Sequence, residues 1–161
     1  EIYKKKQLLY GMFESYKSLR SSNEAIIVEG YTDVIALSKV GFRNSLASAG
    51  TAITDAHIKN VFKFTDTITF CFDGDNAGKK AAKKAMELCL PLVRKTKEAC
   101  FLILNGDDPD DFNRNHGPQA FAKLIKTAFS IDPPSNFKAS TANIFEIILL
   151  FLFEEAYPSI A

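Results

Sequence analysis

Glu29 closes the apolar run AIIVEG, Asp73 and Asp75 close ITFCFDGD, and Asp108 and Asp110 follow CFLILNGDDPD. Each run is short, rich in Ile, Val, Phe and Leu, and bounded by Gly or Pro, which is the pattern of a buried parallel strand. Ligands of open α/β sheets bind outside the carboxyl ends of the strands. Three strands ending in carboxylates therefore bring those groups to one edge. Such a cluster repels itself unless a positive charge sits in it, and hard divalent cations take oxygen ligands. The chemistry implied is a Mg²⁺ site suited to work on phosphates.

The spacing within each group is informative. Asp73 and Asp75 are two residues apart, so on an extended segment both carboxylates lie on one side, and Gly74 permits a tight turn between them. Asp108 and Asp110 repeat the device around the stiff Pro109. Asp75 or Asp107 could instead cap the helix that follows. Glu29 stands alone at the end of an almost wholly apolar strand, where a partly desolvated carboxylate is suited either to accept a proton or to ligate metal. Lys79, Lys80, Lys83 and Lys84 lie off the apolar stripe expected for residues 77–92 (Ala77, Ala81, Ala85, Leu88, Leu92). They read as phosphate contacts or as a solvated face. Lys4, Lys5 and Lys6 form a basic triplet. His57 is expected on a helix surface and His116 in a loop, and neither is given a role.

These side chains need a scaffold, and the chain alternates accordingly. Apolar residues near helical spacing over 3–19 lead into the linker SSN at 21–23. A strand then ends at Glu29, with a helix expected from Thr32 to Val40. A strand from Ser45 to Ser48 and a helix from Thr54 to Phe64 precede the strand that ends at Asp73. A helix from Ala77 to Arg94 and a strand from Ala99 to Leu104 follow, then a helix from Pro118 to Phe129. Alternation of this kind specifies an α/β fold with a parallel sheet flanked by helices. Asp132, Pro133 and Pro134 break the pattern, and a final helix is expected from Thr141. The domain expectation is a leading segment at 1–23, an α/β domain at 24–130 and a helical extension at 131–161.

With 161 residues, 47% hydrophobic and 24% charged, the chain has the material for one domain with a sizeable core. A net charge of +1 neither favours nor excludes nucleic acid, because local patches decide that. Cys71, Cys89 and Cys100 form no C-x-x-C pair, which excludes a zinc ribbon here and leaves them as core residues of a reducing cytoplasm. The apolar run from Ile144 to Phe153, interrupted by Glu146, is shorter than the ~20 residues of a membrane span, so no membrane is expected. The chain lacks an initiating Met and reads as a piece of something larger.

VEGYTDVIAL, ASAGTAIT, FDGDNAGKKAAKKA and DDPDDF, in that order, resemble the Toprim domain of bacterial DnaG-type primases, and YKKKQLLYGM resembles the basic stretch preceding that domain. The resemblance covers residues 3–129. It implies a Toprim, Rossmann-like fold with a short N-terminal helical segment and the start of a helical subdomain after 130. It places the family's conserved glutamate on Glu29, its metal aspartates on Asp73 and Asp75, and its distal pair on Asp108 and Asp110. Asp33 matches the second acidic residue of the first motif. Together with Lys5 and Lys79 it is assigned to nucleotide or nucleic-acid binding, whereas Gln7 falls where the family commonly has Arg.

The activity implied is synthesis of short RNA primers from ribonucleoside triphosphates on single-stranded DNA at a bacterial replication fork. Mg²⁺, replaceable by Mn²⁺, is the implied cofactor. Zinc and the replicative helicase would engage regions outside this chain. Two alternatives are strand cleavage as in topoisomerases, which requires a tyrosine nucleophile, and a fragment that binds metal and nucleic acid without turnover. A phosphate-receiver module is a third, which would not require the second D-x-D.

Overall fold

The computed structural model describes residues 8–48, 50–94, 96–104 and 107–131. Lys4, Lys5, Lys6, Gln7 and the expected final helix lie outside them. The described chain runs α1 (Met12–Ser22), β1 (Glu24–Val28), α2 (Tyr31–Lys39), β2 (Ser45–Ala47), α3 (Asp55–Val61), β3 (Thr67–Asp73), α4 (Asn76–Cys89), β4 (Glu98–Leu104), α5 (Pro109–His116), α6 (Pro118–Ile125) and β5 (Phe129–Ile131).

The five strands form one sheet in the order β2-β1-β3-β4-β5. β1 to β4 pair in parallel and β5 runs antiparallel to β4. The chain steps outward from β1 to β2, then crosses back to place β3 on the other side of β1. That reversal makes the β1/β3 boundary a topological switch point, where doubly wound sheets open a crevice.

The strands are apolar on both faces because helices cover both. Ile68, Phe70 and Phe72 of β3 join a core closed by Leu19 of α1, Ile58 and Val61 of α3, and Ala82, Ala85 and Met86 of α4. Phe70 stacks on Phe101 of β4 with ring centroids 5.0 Å apart. On the opposite face Cys71 meets Val34 and Leu37 of α2 and Phe121 of α6.

Several expectations are corrected. The expected α/β sheet flanked by helices is present and parallel over β1 to β4, and the unforeseen β5 adds one antiparallel edge strand. The helix expected up to Phe129 ends at Ile125, and residues Phe129–Ile131 form β5. An additional helix, α5, begins immediately after Asp108. α1 extends through Ser21 and Ser22, and Asn23 ends it in the left-handed conformation at φ 54°. The buried stripe of α4 is Gly78, Ala82, Ala85, Met86 and Cys89, largely one residue along from the expected one, which leaves Ala77 exposed.

His57 is wholly buried rather than on a helix surface. Its Nδ1 accepts the Thr54 backbone N–H at 3.2 Å while its own N–H donates to Thr54 Oγ1, a reciprocal cap at the start of α3. Cys71 and Cys89 are buried and Cys100 is half-buried. Burial pushes all three thiols up, so none is a reactive thiolate near neutral pH. Among the described residues no helix is long and apolar enough to cross a membrane.

Candidate functional site

The carboxyl ends of β1 and β3 are adjacent, and the chain places an acid at each. The Asp73 backbone N–H donates to Glu29 Oε1 at 3.2 Å, which ties the two strand ends together across the switch point. Asp73 is the last residue of β3, and after Gly74 the chain enters α4 with Asp75 as N-cap. Asp75 Oδ1 accepts the Gly78 N–H at 2.7 Å. The glycine is obligatory for packing: a Cβ at position 78 would stand 2.1 Å from the Asp73 carbonyl oxygen. The first turn of α4 is thereby pressed onto the end of β3.

The first motif is built in the same economical way. Gly30 is the N-cap of α2, and its N–H donates to Asp33 Oδ2 at 3.1 Å. This bond folds the Asp33 carboxylate back toward the strand end, where only 7% of the residue is exposed. After β4, Asp108 caps α5 by accepting the Asp111 N–H at 2.7 Å. Pro109 at the first helical position has the fixed φ that such a start favours.

Capping and site-building therefore coincide: Asp75 and Asp108 each commit one oxygen to a helix start. Asp108, not Asp107, caps α5. Asp107 lies 3.8 Å from His116 Nε2. Asp110 sits in the first turn of α5, where Arg114 Nη2 pairs with it at 2.6 Å and Nη1 takes Asp111 at 2.9 Å.

Electrostatics show which of these groups share a field. Asp73 is pushed up to about 6, first by burial and then by Glu29, Asp33, Asp108 and Asp75. Asp33 is also pushed up to about 6. Burial leads, the Gly30 N–H opposes it, and Asp108, Asp110 and Glu29 add to it. Residues of three separate segments thus repel one another at a single sheet edge. Asp73 Oδ1 is in addition a buried oxygen without a hydrogen-bond partner. A buried acceptor left bare in a negative field is costly unless something positive meets it.

The donor set has the chemistry of a hard-cation site: carboxylates only, one of them with an uncommitted buried oxygen. As the side chains stand, no group of three or more His, Cys, Asp or Glu among the described residues is arranged to hold an ion. The edge is charged and focused, without a finished ligand shell.

Lys79 lies half-buried in the first turn of α4, its backbone N–H donating to Asp75 O at 3.0 Å. Lys80, Lys83 and Lys84 are exposed on the same helix. Lys5 lies outside the described residues. The fixed arrangement of Asp33 beside the other acids was not foreseen from the residues alone. The E-G-x-x-D spacing carries that signal, because a residue three positions after an N-cap reaches back to it.

Comparison with known proteins agrees with this geometry. Residues 23–100 match the Toprim domain model. A DNA primase of Pseudomonas aeruginosa is 46% identical over 125 residues, which cover 77% of this chain and 19% of that protein. The chain carries a Toprim domain of the bacterial DNA primase family. A crystal structure of a DNA primase domain from Pseudomonas aeruginosa superposes on it with a TM-score of 0.79 at 40% identity, covering 94% of this chain and 44% of that one. A DnaG primase catalytic domain bound to single-stranded DNA gives 0.76 at 37% identity, over 80% and 42% of the two chains. The Toprim chain therefore spans about a fifth of the curated relative it matches and less than half of these catalytic domains.

Proposed function

We propose that this chain supplies the acidic half of a primase active site, for DNA-directed synthesis of short RNA primers from ribonucleoside triphosphates during replication. The observation that carries the reading is the bare buried oxygen of Asp73 among Glu29, Asp33 and Asp108, at the switch point of a Toprim sheet. Outside the molecule the reading is supported by the likeness to a primase catalytic domain bound to single-stranded DNA.

Asp73, Asp75 and Asp108 are the residues that would hold Mg²⁺, or Mn²⁺ in its place, with Glu29 and Asp33 beside them. When bound, such an ion neutralises the triphosphate and steadies charge on the pyrophosphate leaving group. Glu29 keeps one oxygen on the Asp73 N–H, and its other oxygen is the group suited to ligate or to accept the proton of the attacking 3′-hydroxyl. Asp110 contributes mainly field, because Arg114 already pairs with it. Lys79, at the start of α4, is suited to a phosphate of nucleotide or template, a role that Lys5 would share. Residues 24–130 form the catalytic unit in this reading, with 1–23 leading into it and 131–161 beginning a helical subdomain. Zinc binding and the helicase contact belong to other parts of a complete primase.

Calorimetric titration of the chain with Mn²⁺ tests the reading. Binding that disappears in Asp73→Asn supports it. Binding of undiminished strength in that variant overturns it.

A further inference from the structure

Arg114, in the last turn of α5, reaches back along the helix to two acids at once. Its Nη2 pairs with Asp110 Oδ2 at 2.6 Å and its Nη1 with Asp111 Oδ1 at 2.9 Å. The side chains of Arg114, Asp110 and Asp111 are 65%, 42% and 49% exposed, and ion pairs as open as these add little to stability. Acids in a first helical turn are also favoured by the helix dipole, without help from a cation. A purely structural reason for the clasp is therefore weak.

Asp110 differs from Asp111 in what it faces. With Asp108 and Glu29 it belongs to the field that raises the Asp33 carboxyl. Of the acids in that field, Asp110 alone carries an ion pair among the described residues. Asp110 and Arg114 also line a cavity of about 430 Å³ between α2 and α5, together with Thr32, Lys39 and Asn113. Space is thus open beside the clasp, and a largely solvated guanidinium can turn aside without unpacking the core. The guanidinium keeps its charge at every working pH, so Asp110 is contested between a permanent cation and any cation drawn to the edge.

We infer that Arg114 is a positioning residue, a built-in counter-ion that holds Asp110 back from the acidic edge and yields it when a divalent cation is bound there. Asp110 then joins Asp108 in completing a shell that the side chains, as they stand, do not form among the described residues. The edge keeps one carboxylate in reserve, spared from adding its full charge to the repulsion until a cation is bound. This assignment rests on the metal-site reading proposed above, and the two can fail separately.

The first measurement is an NMR titration of the chain with Mg²⁺, following the Arg114 guanidinium resonances. They should shift as Asp110 leaves, and stay in place in Asp73→Asn. This titration of the parent needs no Arg114 variant to fold. Calorimetry with Mn²⁺ then compares Arg114→Gln and Arg114→Lys. Arg114→Gln should bind about two- to fivefold tighter than the parent, equivalent to roughly 0.4–1 kcal/mol, whereas Arg114→Lys should stay close to the parent. In an Asp110→Asn background the gain from Arg114→Gln should vanish. An arginine that only braces α5 predicts instead a lower melting temperature in Arg114→Gln with Mn²⁺ affinity unchanged. Unchanged affinity in folded Arg114→Gln, an equal gain in the Asp110→Asn background, or guanidinium resonances that Mg²⁺ leaves in place would each overturn the inference. A parent chain that binds no Mn²⁺ overturns the metal-site reading as well. A parent that binds it, with Arg114→Gln binding equally, overturns this inference alone.

Discussion

Two aspartates flank strand β3, seven residues apart, and the fold treats them in opposite ways. Asp66, just before the strand, takes Lys97 Nζ at 2.6 Å and the Asn23 side-chain amide at 3.0 Å, and these partners hold it below its ordinary value of 3.8. Lys97 is satisfied in turn by the carbonyl oxygens of Phe62 and Thr65 at 2.7 and 2.9 Å. Asp73, at the other end, is crowded by acids, keeps an unpartnered oxygen and is pushed up to about 6. The amino edge of the sheet is electrostatically closed. The carboxyl edge is held open, at a cost in stability that a structural role would not explain.

The contrast can be broken most forcefully at Asp73. In a complete primase carrying this chain, Asp73→Asn should lower primer synthesis by about 10²–10³-fold, the scale of losing one preorganised electrostatic group. The isolated metal-free chain should meanwhile melt no lower than the parent, since the substitution removes a repelled charge. A variant that melts lower while primer synthesis is preserved would make Asp73 a structural residue like Asp66.

Gly78→Ala probes the seam that holds the open edge in place. The clash with the Asp73 carbonyl should cost about 1–3 kcal/mol or more of stability, read in a urea melt. Lys97→Met probes the closed edge. It strips two backbone carbonyls of their donor and should cost roughly 1–2 kcal/mol while leaving Mn²⁺ binding intact.

The smallest effect is in pH. A carboxyl raised in the fold contributes stability that is complete below its unfolded value of 3.8 and is lost as pH rises through about 6, as Asp73 and Asp33 do. Asp66 has the opposite sign, since its contribution is present above 3.8 and is lost as pH falls further. Of these three carboxyls only Asp73 and Asp33 take up protons between pH 7 and 5, so without divalent cations their contribution should raise Tm by about a degree or two on acidification. Asp73→Asn should flatten that rise, and a slope equal to the parent's would show that the edge is not self-repelling.

Much of this was legible because apolar runs and their terminal acids are strong, local signals. β1, β3 and β4 ended where Glu29, Asp73 and the residues before Asp108 required, and strand ends in such sheets share an edge. α5 was missed because PDDFNRNH has almost no apolar stripe. Its markers were the Asp108 cap, Pro109 at the first helical position and Gly117 after the end. β5 escaped because a three-residue strand is specified by pairing with β4 rather than by its own pattern. His57 was misplaced because its role is a bond to Thr54, and burial of that polar pair depends on packing that spacing alone does not reveal. The Asp110–Arg114 pair has a plain i,i+4 spacing that the sequence displays, yet its importance emerges only once Asp110 is seen to be balanced and Asp73 is not.

The pairing at the flanks of the sheet has a practical consequence for anyone isolating this domain. Tyr10 exchanges backbone hydrogen bonds with Ala47, at 2.8 and 3.2 Å, and so seals the outer side of β2, while β5 seals β4. The span matched by the family model, 23–100, contains neither seal and stops before Asp108. A protein trimmed to that span would display two raw strand borders, which invite association between molecules. It would also lack the third acidic segment, so the smallest workable unit is wider than the family boundary.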